Sequence, residues 1–315
     1  MIEEVTPLAA LIREEIRSKG PIGFDRFMEL ALYHPEYGYY TRKDRDPFGK
    51  GGDFYTASQL QPVFGRVIAR AVRALRAEMD TPEDFTVVEL GAGRGEMAEA
   101  LKEFRYVAVE ASDTLGMPEK ITGVVFSNEF FDALPVRSIE RRGENWHERL
   151  VDFSNGRFVF TQDQTIGTAQ RFDTSQTIAE EHDTGFLWMK KIAAHLHRGF
   201  VLTIDYGYTN AERLRFPQGS LMSYHRHTAS EDVLADPGER DITSHVPFDL
   251  LREAGEQAGL ETVRFETMSQ FLMRVGEGDQ FAELVRGGGE LALKTLIYSM
   301  GESFRVLLQR KQDGL

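Results

Sequence analysis

Residues 87–95 read Val-Val-Glu-Leu-Gly-Ala-Gly-Arg-Gly, so a short apolar run ends in three alternating glycines. Apolar residues at helical spacing follow from Glu96 to Phe104 and predict a helix there. Glycines at such a point let the backbone turn sharply and approach a ligand without a Cβ clash. In open α/β sheets, ligands bind at the carboxyl ends of the strands, which is where this turn lies.

The same alternation of strands and helices continues along the chain. Short apolar strands separated by helices predict a mostly parallel sheet of the Rossmann-like α/β class. The sheet is predicted to have seven strands, of which six can be assigned to residues, and the last two are predicted to close its edge as an antiparallel pair. Strands are predicted at 85–90, 106–109, 124–127, 200–204, 262–267 and 304–309, with helices over 178–197 and 247–258.

Two further regions are predicted outside this sheet. Residues 1–80 form an N-terminal helical arm, with helices over 7–19 and 24–33 and a glycine-rich loop that could cover a ligand. Residues 81–315 form the α/β core, with an inserted subdomain contributed by segments around 138–175 and 208–247. Apolar and polar residues alternate over 138–162, which predicts a β-ribbon.

Composition limits the partners. The net charge of −13 repels phosphate backbones, so no nucleic-acid partner is expected. No run reaches eighteen consecutive apolar residues, so no membrane-spanning helix is expected. The absence of cysteine excludes disulfides and thiolate metal sites, and the histidine spacing matches no metal template, so no metal is expected. The acidic N-terminus shows no targeting signal, and a cytoplasmic protein is expected.

The glycine spacing separates two classes of cofactor. A dinucleotide turn has its third glycine where this chain has Glu96, whose charge disfavours a pyrophosphate. S-adenosylmethionine (SAM) carries a sulfonium cation and no phosphate. We expect Glu110 to accept hydrogen bonds from its ribose and Glu89 to face its cationic amino acid end. The predicted cofactor contacts in this stretch are Glu89, Gly91, Gly93, Gly95 and Glu110.

Several short strings stand out along the chain. They include Gly52-Asp53-Phe54, Glu89-Leu90-Gly91, Asn128-Glu129-Phe130-Phe131-Asp132-Ala133-Leu134-Pro135, Asp205-Tyr206-Gly207 and Asp241-Ile242-Thr243. With these strings, the sequence resembles the MidA-like methyltransferase family over most of the chain. The resemblance implies a class I SAM-dependent methyltransferase that modifies protein arginine, in a family whose mitochondrial members are needed for respiratory complex I assembly. It also implies that Gly52, Asp53 and Thr56 lie in a loop that covers the cofactor.

An acceptor site is expected just after the strand at 124–127. An arginine guanidinium stays protonated and is best held by carboxylates. Glu129 is the expected guanidinium anchor, with Asp132 and Asn128 shaping the site. On a helical turn Glu129 and Asp132 would share a face. Asn128 and Asp132 could instead cap a helix start.

Three alternatives stay open at this level. The acceptor could be a small molecule, because acceptor pockets leave few local sequence signatures. The chain could be a non-catalytic assembly factor that retains SAM, since Ser58-Gln59 and Pro247 depart from the family pattern. A nicotinamide oxidoreductase is disfavoured by the glycine spacing. A homodimer is also compatible with the sequence.

Overall fold

The computed structural model describes residues 6–42, 60–112, 116–167, 176–225 and 228–312, with the backbone alone over 162–167. The described helices are α1 Pro7–Lys19, α2 Phe24–Tyr33, α3 Val63–Glu78, α4 Asp183–His195, α5 Phe248–Gln257, α6 Met268–Gly276 and α7 Glu290–Thr295. The described strands are β1 Ile22–Gly23, β2 Thr86–Leu90, β3 Arg105–Val109, β4 Ile121–Asn128, β5 Arg137–Arg142, β6 Asn145–Ser154, β7 Arg157–Gly167, β8 Ile178–Glu181, β9 Leu196–Tyr208, β10 Met222–His225, β11 Thr228–Ser230, β12 Asp241–Thr243, β13 Val246–Pro247, β14 Glu261–Thr267 and β15 Phe304–Lys311.

The chain divides into two compact units, each built from three segments. The core unit comprises Thr56–Asp132, Gly185–Thr209 and Val246–Leu315. The accessory unit comprises Met1–Tyr55, Ala133–Thr184 and Asn210–His245.

Seven of the described strands form the sheet of the core unit. Its order is β14-β15-β9-β4-β2-β3, and β13 pairs with β9 at one end. The pairs β2·β3, β2·β4, β4·β9 and β13·β9 are parallel, whereas β15 pairs antiparallel with both β9 and β14. The predicted mostly parallel sheet with an antiparallel edge is therefore confirmed.

Burial explains why these strands read as apolar runs. Every residue of β2 and of β4 is buried, as expected for strands covered on both faces. Helix α3 packs apolar side chains such as Phe64, Ile68 and Val72 into the same core as β2, β4 and β9. The carboxyl ends of β2, β3, β4 and β9 consequently meet at one edge of the sheet.

The accessory unit has its own core. Helix α1 begins at the Thr6 side chain, which accepts a hydrogen bond from the Ala9 amide, and ends at Gly20. Its Leu8 and Ile12 are buried in a cluster with residues of α2, β1, β6 and β12. Among the described strands, β5, β6 and β7 form the antiparallel ribbon predicted over 138–162, with β1 on β6 and β8 on β5.

One helix prediction is wrong and another is confirmed only in part. Residues 96–104 form successive turns, in which Ala98 bonds back to Gly95 and Phe104 to Leu101. Met97, Leu101 and Phe104 are buried, so the apolar spacing reports the buried face without requiring a regular helix. The helix predicted over 178–197 is present as α4 over Asp183–His195. Its first residues, 178–181, instead form strand β8, because pairing with β5 overrides their local helical pattern.

Candidate functional site

The glycine turn after β2 has the geometry that the sequence predicts. Gly91, Gly93 and Gly95 have φ values of 69°, 55° and 73°, a left-handed backbone that favours glycine. The Gly91 amide donates to the Val109 carbonyl at 2.8 Å, which ties the turn to the end of β3. A Cβ added to Gly91 would lie 2.9 Å from the Phe130 ring. The turn therefore needs glycine for its backbone conformation and, at Gly91, for close packing.

Glu110 lies beside this turn, as expected from its place after β3. Its Oε1 accepts a hydrogen bond from the Gly93 amide at 2.9 Å. The contact holds the carboxylate that follows β3 against the glycine-rich backbone that follows β2. A carboxylate held in this way can accept further hydrogen bonds, for example from the hydroxyls of a ribose.

Glu89 is buried at the end of β2, with 4% of its surface exposed. The Tyr106 hydroxyl of β3 donates to its Oε2 at 2.5 Å. Burial raises the pKa of the Glu89 carboxyl to about 7, and the nearby Glu110 and Glu96 add to the rise while the Tyr106 hydrogen bond opposes it. The same burial and the Glu89 charge raise the pKa of Tyr106. A cation placed here would relieve this concentration of negative charge.

Sequence reasoning missed Tyr106 as a member of the site. Its neighbour in the register is Val87, two residues before Glu89 on the adjacent strand. Side chains two residues apart on a strand share a face, so a tyrosine at this diagonal position is within reach of the acid. The register, which the sequence did not supply, was the signal needed to find it.

The acceptor segment begins where β4 ends. Glu129 has φ 51°, which is uncommon for a residue with a side chain, and its amide donates to the Ile204 carbonyl of β9 at 3.0 Å. The Asn128 side-chain amide donates to Glu129 Oε1 at 3.1 Å. Residues 129–132 are not helical, so the expectation of a shared helix face for Glu129 and Asp132 is wrong. The structure nevertheless keeps Asn128, Glu129 and Asp132 in one tight segment.

Asp205 of β9 holds this segment in place. Its Oδ2 accepts the amides of Phe130, Phe131 and Asp132 at 3.2, 3.0 and 3.3 Å, and its Oδ1 accepts the Tyr206 amide at 2.9 Å. Asp205 is fully buried. Burial and the charges of Asp132 and Glu129 raise its pKa, while the amides of Phe131 and Asp132 oppose the rise. The acid that accepts these amides thus comes from the neighbouring strand β9.

The remaining sequence predictions concern the loop at Gly52, Asp53 and Thr56, metal binding and membrane-spanning helices. Gly52, Asp53 and Thr56 lie outside the described residues. Within the described ranges, no group of three or more histidine, aspartate or glutamate residues is arranged to hold a metal ion. Helices in that part of the chain include none with both the length and the hydropathy to cross a membrane.

The sheet, the glycine turn and the acids at its edge define the class of protein, a SAM-dependent methyltransferase with a Rossmann-like class I fold. A family described as S-adenosyl-L-methionine-dependent methyltransferases matches residues 102–266. The chain belongs to this MidA-like methyltransferase family. A COG1565 superfamily member from Burkholderia thailandensis, solved bound to S-adenosylhomocysteine, is 31% identical. That likeness covers 98% of this chain and 92% of the other, with a TM-score of 0.87.

Curated relatives are more distant. The human protein arginine methyltransferase NDUFAF7, mitochondrial, is 27% identical over 98% of this chain and 82% of its own length. The homologous mitochondrial protein of Drosophila melanogaster is 27% identical over 80% of this chain and 70% of its own length. Because these relatives are named mitochondrial, the expectation of a cytoplasmic protein is contradicted. The lack of a recognisable targeting segment is a weak guide to location.

Proposed function

We propose that this methyltransferase transfers the methyl group of SAM to an arginine side chain of a protein. The observation that carries the proposal is the Asn128–Asp132 segment, which places carboxylates at the carboxyl edge of the sheet beside the glycine turn. Relatives at 27% identity are named protein arginine methyltransferases, which supports the choice of acceptor.

The residues of the glycine turn fit the donor. Its three glycines have a left-handed backbone and carry no Cβ, so the turn can approach a ligand closely. Buried Glu89 supplies negative charge for the cationic amino acid end, and Glu110 is the proposed ribose contact. When bound, SAM supplies an electrophilic methyl group on a sulfonium. We assign donor binding to Glu89, Gly91, Gly93, Gly95 and Glu110, together with Gly52, Asp53 and Thr56 from the sequence resemblance.

The acceptor side acts by position and charge. Glu129 would pair with the guanidinium through charge-assisted hydrogen bonds and aim one nitrogen at the methyl carbon. Asn128 restrains the Glu129 carboxylate through the 3.1 Å contact. Asp132 adds negative charge that favours the cationic acceptor. As the nitrogen takes the methyl group, its proton can pass to the Glu129 carboxylate or to water.

Donor affinity is expected to depend on pH through Glu89. The cationic donor favours ionised Glu89, whose pKa is raised to about 7, so binding at lower pH must release a proton. The dissociation constant of SAM should rise about tenfold for each pH unit below 7 and level off above it. Isothermal titration from pH 5.5 to 8.5 measures this dependence.

Two variants serve as controls for this pH profile. Glu89→Gln should bind SAM weakly and remove the inflection near pH 7. Tyr106→Phe should move the inflection to higher pH, because the hydroxyl stabilises the ionised carboxylate. A wild-type profile that is flat from pH 5.5 to 8.5 would contradict the assignment of Glu89 to the cationic end of the donor.

Glu129→Gln tests the acceptor role. The amide keeps the shape of the side chain but loses the charge that holds a guanidinium, so methyl transfer should fall by about 100-fold or more. The SAM dissociation constant should stay within about twofold, since Glu129 is not proposed to touch the donor. The measurement is transfer of labelled methyl to proteins of a lysate, followed by identification of methylarginine.

Glu83→Gln is the matched control, because Glu83 is exposed in the core unit just before β2, at the opposite end of that strand from the glycine turn. If the label appeared only on small molecules, the acceptor would be a small molecule and the proposed protein acceptor would be wrong. SAM binding without transfer by the wild-type chain would support a non-catalytic assembly factor.

A further inference from the structure

A pocket in the core unit lies on the face of the sheet covered by α3 and α6. It has a volume of about 300 Å³ and is lined by residues of α3, α6, β9, β14 and β15. Leu202, Leu308 and Arg264 form one lateral row across three strands, because Leu202 pairs with Leu308 and Leu308 pairs with Arg264. The two leucines of this row contribute to the floor of the pocket, and the arginine lies at its outer edge.

Helices α3 and α6 line the pocket with apolar side chains, and those of α3 include two alanines. Ala71 and Ala74 of α3 line one side, and Phe271 and Val275 of α6 line the other. Alanines on α3 leave space that larger side chains would fill. The volume is at the lower end of the range for small-molecule sites. An amphipathic helix would need anchor pockets along two or more turns, so a small ligand fits this space better.

The rim is cationic in an otherwise acidic chain. Arg70, Arg264 and Arg274 line the pocket together with one carboxylate, Glu78. Arg70 pairs with Asp279 at 2.6 Å and Arg274 pairs with Glu266, so these two guanidiniums are already largely neutralised. Arg264 is exposed and makes no ion pair within the described residues. One available positive charge therefore stands next to an apolar floor.

We propose that this arginine-rimmed pocket binds a single-chain fatty acyl anion, with its alkyl chain over Leu202 and Leu308 and its carboxylate at Arg264. Burial of the chain removes apolar surface from water, and the guanidinium binds the carboxylate through paired hydrogen bonds. The site is separate from the proposed donor site, because none of its lining residues belongs to the glycine turn after β2 or to the acids beside it. It goes beyond methyl transfer and assigns a ligand that the proposed function does not require.

Isothermal titration of the full chain with decanoate, below its micelle concentration, tests the proposal. Saturable binding with one site per chain is expected. Arg264→Glu should weaken binding by about tenfold or more, because it removes a charged hydrogen-bond partner and adds repulsion. Ala74→Phe should also weaken it by filling the pocket. Arg105→Glu, the same charge change on the exposed start of β3, should bind decanoate like the wild type.

The SAM dissociation constant should be unchanged in all three variants, which shows that they fold. Decyltrimethylammonium, with the same chain and the opposite charge, should bind more weakly than decanoate. No saturable decanoate binding, or equal binding by Arg264→Glu, would overturn the proposal. Binding of an acidic amphipathic peptide in place of decanoate would also overturn it and would make the pocket a protein-docking site.

Discussion

Asp205→Ala is expected to lower the free energy of unfolding of the core unit by about 3–5 kcal/mol. One oxygen of the Asp205 carboxylate accepts hydrogen bonds from the amides of Phe130, Phe131 and Asp132. An unsatisfied buried donor costs about 1–3 kcal/mol, and removal of Asp205 leaves several of them at once. Relief of a buried charge offsets part of this cost.

The two tryptophans of the chain allow this loss to be measured in the right unit. Trp188 lies in the core unit and packs edge-on against Phe130, with the ring centroids 5.1 Å apart. In a Trp146→Phe background, urea unfolding followed by fluorescence therefore reports on the segment that Asp205 holds. Asp205→Asn should lose less than the alanine variant, because an amide oxygen can still accept a hydrogen bond.

Asp84→Ala provides the control, since Asp84 is exposed in the same unit and surface changes of this kind stay within about 0.5 kcal/mol. A loss below about 1 kcal/mol for Asp205→Ala would show that the amides find other partners. Methyl transfer adds a second readout, because Asp205 holds the segment that carries Glu129. The alanine variant should lose transfer more steeply than SAM affinity.

Acid should unfold the accessory unit through His182. This side chain is 4% exposed, and its Nε2 has no hydrogen-bond partner among the described residues. Burial lowers the pKa of His182 to about 3, and the nearby His245 adds to the effect while Asp183 opposes it. In the unfolded chain the same group titrates near 6.5. The folded state therefore requires a neutral imidazole.

The lowered pKa of His182 fixes the direction in which the free energy of unfolding changes with pH. The stability that neutral His182 contributes is fully present above pH 6.5 and is lost as the pH falls from 6.5 towards 3. Each pH unit in that window corresponds to about 1.4 kcal/mol, so the total is about 4–5 kcal/mol. The free energy of unfolding should fall accordingly between pH 7 and pH 4.

Trp146 is buried in the accessory unit, so its fluorescence in a Trp188→Phe background follows this transition. His182→Gln should start from a lower stability at pH 7 but should fall less steeply with pH, because glutamine does not titrate. His197→Gln, an exposed site in the core unit, should keep the wild-type slope. Equal slopes for the wild type and His182→Gln would refute a buried neutral imidazole.

Local patterns alone predicted much of this molecule. Helices α1 and α2 begin and end where the apolar spacing and the glycines place them. The glycine turn after β2 and the acid after β3 were recognisable in the sequence, because a turn of this kind requires particular residues at fixed positions. Asn128, Glu129 and Asp132 were found through family resemblance, and the structure brings them together after β4.

The tertiary structure decided what depends on contacts between distant residues. Asp205 lies 73 to 75 positions from the amides that it binds, and no local pattern marks that pairing. The hydrogen bond from Tyr106 to Glu89 follows from the register of two parallel strands, and β8 exists because β5 offers it a partner. Periodicity reports which side of a segment is buried, whereas the partner on that side is set by the packing of the whole chain.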